Sequence, residues 1–145
     1  MKRYQLSGKE VKQLAQKYSF LDKKTRVEVV EDEERLFFAD KKLIFIEKEG
    51  LTIPSLHVDT ELKQIVVDMG AVPFVCKGAD VMAPGITQMP DFEEDELLVV
   101  VDENNKKKLA IVKAMKSSAE IKADKTGKVL QNLHYVGDKY WNYRL

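Results

Sequence analysis

The chain has 145 residues, of which 44 % are hydrophobic and 33 % charged, with 24 basic side chains against 24 acidic ones. Such values suit a globular fold of one domain or two small ones. The balanced charge advertises neither a nucleic acid nor an anionic membrane, and leaves RNA binding to a local basic face. The longest apolar run, Leu97-Leu98-Val99-Val100-Val101, is far below the roughly 18 residues of a membrane span. No apolar segment of secretory type follows Met1. The single cysteine, Cys76, forbids an intramolecular disulfide framework and suits a reducing interior. A soluble, cytoplasmic protein is expected.

Ser7-Gly8-Lys9-Glu10 has the form of a capping box. Val11, Leu14, Ala15 and Tyr18 behind it follow the spacing of one apolar helix face, which predicts a helix from Gly8 to Tyr18. From Val27 the period shortens. Val27 and Val29, Leu36-Phe37-Phe38 and Leu43-Ile44-Phe45-Ile46 read as strands of a meander with charged tips, which Leu51–Ile53 could extend. Pro54 is placed to open a short helix through Val58.

Ile65-Val66-Val67 reads as a further strand, and a second domain is expected from Asp68 onward. Its predicted strands are Phe74–Cys76, Leu97–Val101, Leu109–Val112, Val129–Tyr135 and Tyr140–Tyr143, with Gly137-Asp138 as a tight turn and Glu103–Lys106 as a hairpin loop. Many short strands with little helix predict a small barrel or curled sheet. The expected class is α+β: a helix on an antiparallel sheet over residues 1–67, then a mostly-β pseudo-barrel over 68–145.

No enzyme motif survives inspection. There is no Walker loop, G-x-G-x-x-G or H-E-x-x-H. Cys76, His57 and His134 lie far apart, whereas structural zinc wants four close Cys or His ligands. Cys76 sits in an apolar stretch, as a small packed hydrophobe does. No catalytic residue, metal or cofactor is expected.

The informative segment is 70–90, which holds three of the seven glycines and three of the four prolines. Within it, Gly78-Ala79 is placed at the entry of a short helical turn, where a backbone or ligand can approach closely. Pro84 is read as stopping that turn, and Gly85 as supplying a permissive dihedral before a strand from Ile86.

Gly78-Ala79-Asp80-Val81-Met82-Ala83-Pro84-Gly85-Ile86 resembles the signature of the PUA domain, in which Gly-Ala precedes an apolar residue and Pro-Gly. Leu133-His134-Tyr135-Val136-Gly137-Asp138 resembles that family's closing strand and turn. Ile53-Pro54-Ser55-Leu56-His57, Val67–Val75, Met115–Glu120 and Asn132–Tyr135 extend the likeness to proteins that carry a pre-PUA domain first. These are the malignant T-cell-amplified sequence family and its stand-alone archaeal relatives. Lys113 departs from the pattern: many PUA domains have glycine there, and this chain adds a charge.

The resemblance implies a non-catalytic module that binds structured RNA, tRNA or small-subunit rRNA, in translation or RNA modification. Neither membrane nor DNA is implied. A translation-factor partner is also implied, since eukaryotic members of the family work with the density-regulated protein. Carried onto this chain, the RNA-facing positions are Lys77, Gly78, Ala79, Asp80, Met82, Pro84, Gly85 and Thr87, with Lys113 as the added charge. His134, Asp138, Lys139 and Tyr140 come from the last hairpin. The residues themselves agree in part, because lysines can meet phosphates and tyrosines can stack on unpaired bases. Strand alternation nevertheless assigns either Tyr140 or Trp141 to a core. The acidic runs Glu31–Glu34 and Asp91–Glu96 read as solvated tips, and Lys106-Lys107-Lys108 as a hairpin edge. An alternative function is an adaptor that docks a protein on the first sheet, which exposed apolar residues along Leu36–Ile46 would favour.

Overall fold

A computed structural model describes all 145 residues, which divide into two compact units, 1–61 with 142–145, and 62–141. The first contains β1 (Lys2–Gln5), α1 (Gly8–Lys17), β2 (Glu28–Glu31), β3 (Arg35–Ala39), β4 (Lys42–Lys48) and β5 (Leu51–Pro54). The five strands form one antiparallel sheet in chain order. At the start of α1 the Ser7 hydroxyl accepts the Glu10 N–H at 3.2 Å, which satisfies an otherwise orphaned donor. Val11 and half-buried Leu14 and Ala15 then pack with Val27, Val29, Phe37, Ile44 and Phe45. Asp40 and Lys41 make the two-residue β3–β4 turn with φ of 50° and 65°, the backbone twist such hairpins favour.

Two local features differ from expectation. Strand β1 is exposed at all four positions, so no apolar alternation marks it. It is held by ladder pairing and by Arg3–Glu28 and Tyr4–Glu31 contacts, each 3.0 Å. Pro54 ends the edge strand β5 rather than opening a helix, a place where a missing N–H costs no ladder bond. Ser55–Val58 is a turn, closed by Val58 N–H to Ser55 C=O at 3.2 Å.

The second unit contains β6 (Gln64–Val67), α2 (Val72–Val75), β7 (Val81–Met82), a 3-10 turn (Ala83–Gly85) and β8 (Ile86–Gln88). After these come β9 (Leu97–Asp102), β10 (Lys108–Ala114), α3 (Ser118–Ala123) and β11 (Lys128–Tyr135). The sheet order is β7-β11-β10-β9-β6-β8, with β6 and β9 parallel and the other pairs antiparallel. Register shifts in four of these pairings bend the strands, which curls the sheet around its core. That core comprises Ile65, Val67, Val81, Leu98, Val100, Ala110, Val112, Val129 and Leu130 among others. The α+β class read from the sequence holds.

Pairing of β6 with β8 and β9 groups Ile65–Val67 with the second unit, whereas the sequence reading divides the chain after Val67. Phe74–Cys76, expected as a strand, belongs to the helical turn α2 and its end. Proline at the second helical position gives up an N–H that would be orphaned there. Tyr140–Tyr143 is a turn rather than a strand, because Asp138 captures the Trp141 N–H at 2.8 Å and folds the backbone over. No helix is long and apolar enough to cross a membrane.

Candidate nucleic-acid interface

The segment from α2 through the 3-10 turn builds a cavity of about 400 Å³. Asp68 starts it by accepting the Ala71 N–H at 2.9 Å, which sets the chain into α2. One turn of helix then projects Phe74, 66 % exposed, while Val75 is buried. After α2 the chain reverses at Gly78, whose φ of +96° is a conformation that side-chain-bearing residues rarely adopt. A β-carbon there would lie 3.0 Å from Tyr135 Cε1. Asn132 on β11 clamps the loop: its side-chain amide donates to the Val75 carbonyl at 3.1 Å and the Ala79 carbonyl at 3.0 Å. Its backbone N–H donates to Asp80 Oδ1 at 2.9 Å. Strand β7 then presents Met82, 46 % exposed, before Pro84 and Gly85 close the far side. Gly85 has no left-handed φ, contrary to the dihedral role expected for it. Its requirement is space, since an added β-carbon would stand 3.3 Å from Ala71 Cβ.

The resulting lining is mostly apolar, with Asp68, Asp80 and Lys128 as its charged groups. An apolar wall with a presented aromatic ring suits the face of a nucleobase.

Of the residues singled out from the sequence, Ala79, Asp80, Met82, Pro84 and Gly85 line this cavity together. Gly78 shapes it from behind, and Lys77 is exposed beside the loop. Thr87 lines a second cavity of about 410 Å³ beyond the 3-10 turn. Lys113 is half-buried in β10, between Gln131 and Leu97, and is outside both linings. Lys139 is exposed with its ammonium 5.1 Å from the Tyr140 ring centre.

His134, Asp138 and Tyr140 need correction as surface contacts, being only 0, 7 and 4 % exposed. Asp138 Oδ2 lies 2.8 Å from His134 Nδ1 and accepts the Tyr135 N–H at 2.9 Å. Tyr140 packs edge-on against the His134 ring. Burial alone would raise the Asp138 carboxyl, but His134 and the N–H groups of Trp141 and Tyr135 hold it below the usual range. These three residues fix the closing turn. Burial pushes the Cys76 thiol up against an opposing Lys107 charge, so it is kept in the poorly nucleophilic thiol form.

Phe74, Asn132, Tyr135 and Lys128 were not singled out from the sequence. Phe74 was hidden by the strand reading of its segment, although Pro73 one residue earlier is a helix-start signal. Asn132 and Tyr135 act across more than fifty residues, a separation that no local pattern spans.

A family model described as PUA domain matches residues 63–136, and one described as domain of unknown function (DUF1947) matches residues 2–58. An uncharacterized protein of Methanocaldococcus jannaschii is 38 % identical over 99 % of this chain and 97 % of its own. Translation machinery-associated protein 20 of Saccharomyces cerevisiae is 32 % identical over 95 % of this chain and 86 % of its own. Malignant T-cell-amplified sequence proteins are also similar to the chain. A hypothetical protein of Pyrococcus horikoshii has a crystal structure with TM-score 0.82 and 31 % identity, covering 97 % of this chain and 98 % of that one.

Proposed function

The chain belongs to the PUA-domain proteins that carry a DUF1947 region ahead of the PUA domain, and from that membership we propose a non-catalytic RNA-binding protein of the cytoplasm, acting in translation. Its ligand is structured RNA, either tRNA or small-subunit rRNA. One observation carries the reading: Phe74 stands 66 % exposed at the wall of an apolar cavity whose backbone is held in place by Asn132. An exposed ring costs solubility without helping the core, and stacking on an unpaired base gives it a use worth about 1–3 kcal/mol. The name of the yeast relative, translation machinery-associated protein 20, supports the setting.

The adaptor reading needs apolar surface along the first sheet. Leu36, Phe37, Phe38, Leu43, Ile44, Phe45 and Ile46 are all at most 7 % exposed, so those strands offer it nothing. The test is a titration with total tRNA and with a small-subunit rRNA fragment at several salt concentrations. Binding that weakens steeply with salt supports the proposal, because phosphate contacts release counterions. Absence of binding to both RNAs at low salt refutes it.

A further inference from the structure

The second cavity differs from the first in chemistry while sharing a wall with it. Met82, Pro84 and Gly85 line the first, and Ala83, Ile86 and Thr87 line the second, so the 3-10 turn Ala83–Gly85 separates them. The second is about 410 Å³ and carries Lys122 and Lys125 in its lining. Lys128 lines the first cavity, and in the β7–β11 ladder it stands opposite Met82.

The chain as a whole has no net charge, but positive charge gathers here, as it also does at Lys106-Lys107-Lys108. Residues 122–128 hold three lysines against one acidic residue, Asp124, whose carboxylate accepts the Thr126 hydroxyl at 2.7 Å. Lys125 and Lys128 are exposed and make no ion pair, while Lys122 reaches Asp91 only at 3.4 Å, with Asp91 95 % exposed. Ion pairs so exposed contribute little and are readily exchanged for another anion.

We infer that the lysine-lined cavity between β8 and α3 is a phosphate subsite, so that an RNA strand with a base on Phe74 crosses Pro84 and lays its backbone along Lys128, Lys125 and Lys122. This rests on the RNA-binding reading and extends it by a direction and a second subsite. Gln88, exposed on β8 in the same cavity, supplies a neutral hydrogen-bonding amide of the kind that phosphate and sugar oxygens use, whereas the Thr87 hydroxyl donates to the Val66 carbonyl at 3.3 Å.

The experiment compares total-tRNA titrations of the full chain, Lys125→Ala/Lys128→Ala, Phe74→Ala and a control pair in the first unit, Lys23→Ala/Lys24→Ala. All the lysines concerned are exposed, so the variants fold. The inference expects the Lys125/Lys128 variant to lose roughly 0.7–0.9 of log–log salt slope for each lysine. Restoration of the slope is expected with arginine at both positions, and no change with the control pair. Phe74→Ala should weaken binding at an unchanged slope. If Phe74→Ala weakens binding but the Lys125/Lys128 variant keeps the parental slope, the subsite is overturned and the RNA reading stands. If the parental chain binds no tRNA or rRNA fragment, both are overturned. Lysine-dependent binding of poly-glutamate without RNA binding assigns the cavity to an acidic polypeptide and likewise overturns the inference.

Discussion

Gly78 lies against the ring of Tyr135, so closely that a β-carbon on it would stand 3.0 Å from Cε1 and 3.3 Å from Cζ. Two constraints therefore meet at one residue, a left-handed φ of +96° and a missing volume. Gly78→Ala is expected to cost about 1–2 kcal/mol for the backbone alone. The steric share should disappear when Tyr135 is shortened. Urea unfolding of Gly78→Ala, Tyr135→Ala and the double variant separates the two terms: a double variant less destabilised than the sum of the singles is the expected result.

Asn132 holds the same loop from the other side. Asn132→Ala leaves the carbonyls of Val75 and Ala79 without that donor, at an expected cost of about 1–3 kcal/mol. Asn132→Asp should be worse than alanine, because it aims a carboxylate at two carbonyl oxygens. Hydrogen exchange at Gly78, Ala79 and Asp80 should accelerate in both variants, while amides of β9 and β10 keep their protection.

The depressed Asp138 carboxyl gives stability a pH dependence of definite sign. Burial works against ionisation, yet His134, Trp141 N–H and Tyr135 N–H favour it more strongly. The unfolded carboxyl titrates at its ordinary value, about 3.9. Its contribution is thus fully present above that value and is lost as pH falls through the lower folded value. Asp138→Ala should cost about 3 kcal/mol, since it strands buried donors, and should flatten the acid limb of a stability–pH curve. An acid limb identical to the parental one would remove Asp138 as its source.

Helix α3 begins with a complete capping box, in which Glu120 N–H donates to Ser117 Oγ at 3.2 Å and Ser117 N–H donates to Glu120 Oε1 at 3.1 Å. Ser117→Ala should cost about 1 kcal/mol and leave RNA affinity unchanged, because Ser117 lines neither cavity. Thermal unfolding beside a tRNA titration checks both halves of that statement.

The two S-x-x-E boxes show what was legible in the sequence. The one at Ser7 announces α1 because Val11, Leu14, Ala15 and Tyr18 continue an apolar face behind it. That at Ser117 opens only six helical residues, too few for a period to register. Helix α2 has four residues and reads as strand from its apolar content. Strands β2–β4, β6 and β9–β11 were visible because buried apolar runs mark them. In the candidate site, the segment Ala79–Gly85 was legible through its glycine and proline spacing. Burial of His134, Asp138 and Tyr140 was not, because it depends on a turn that one carboxylate organises. Phe74 escaped for the opposite reason: exposure of an aromatic residue is a tertiary property.

Stacking of the exposed Phe74 ring on RNA is decided by a total-tRNA titration of Phe74→Ala beside the parental chain. Because the ring is 66 % exposed, unfolding stability should change by less than about 0.5 kcal/mol. Affinity is expected to fall by about 1–3 kcal/mol, roughly 5- to 150-fold, with the salt slope unaltered. Equal affinity of the two proteins for tRNA, with equal stability, would show that no base stacks on Phe74.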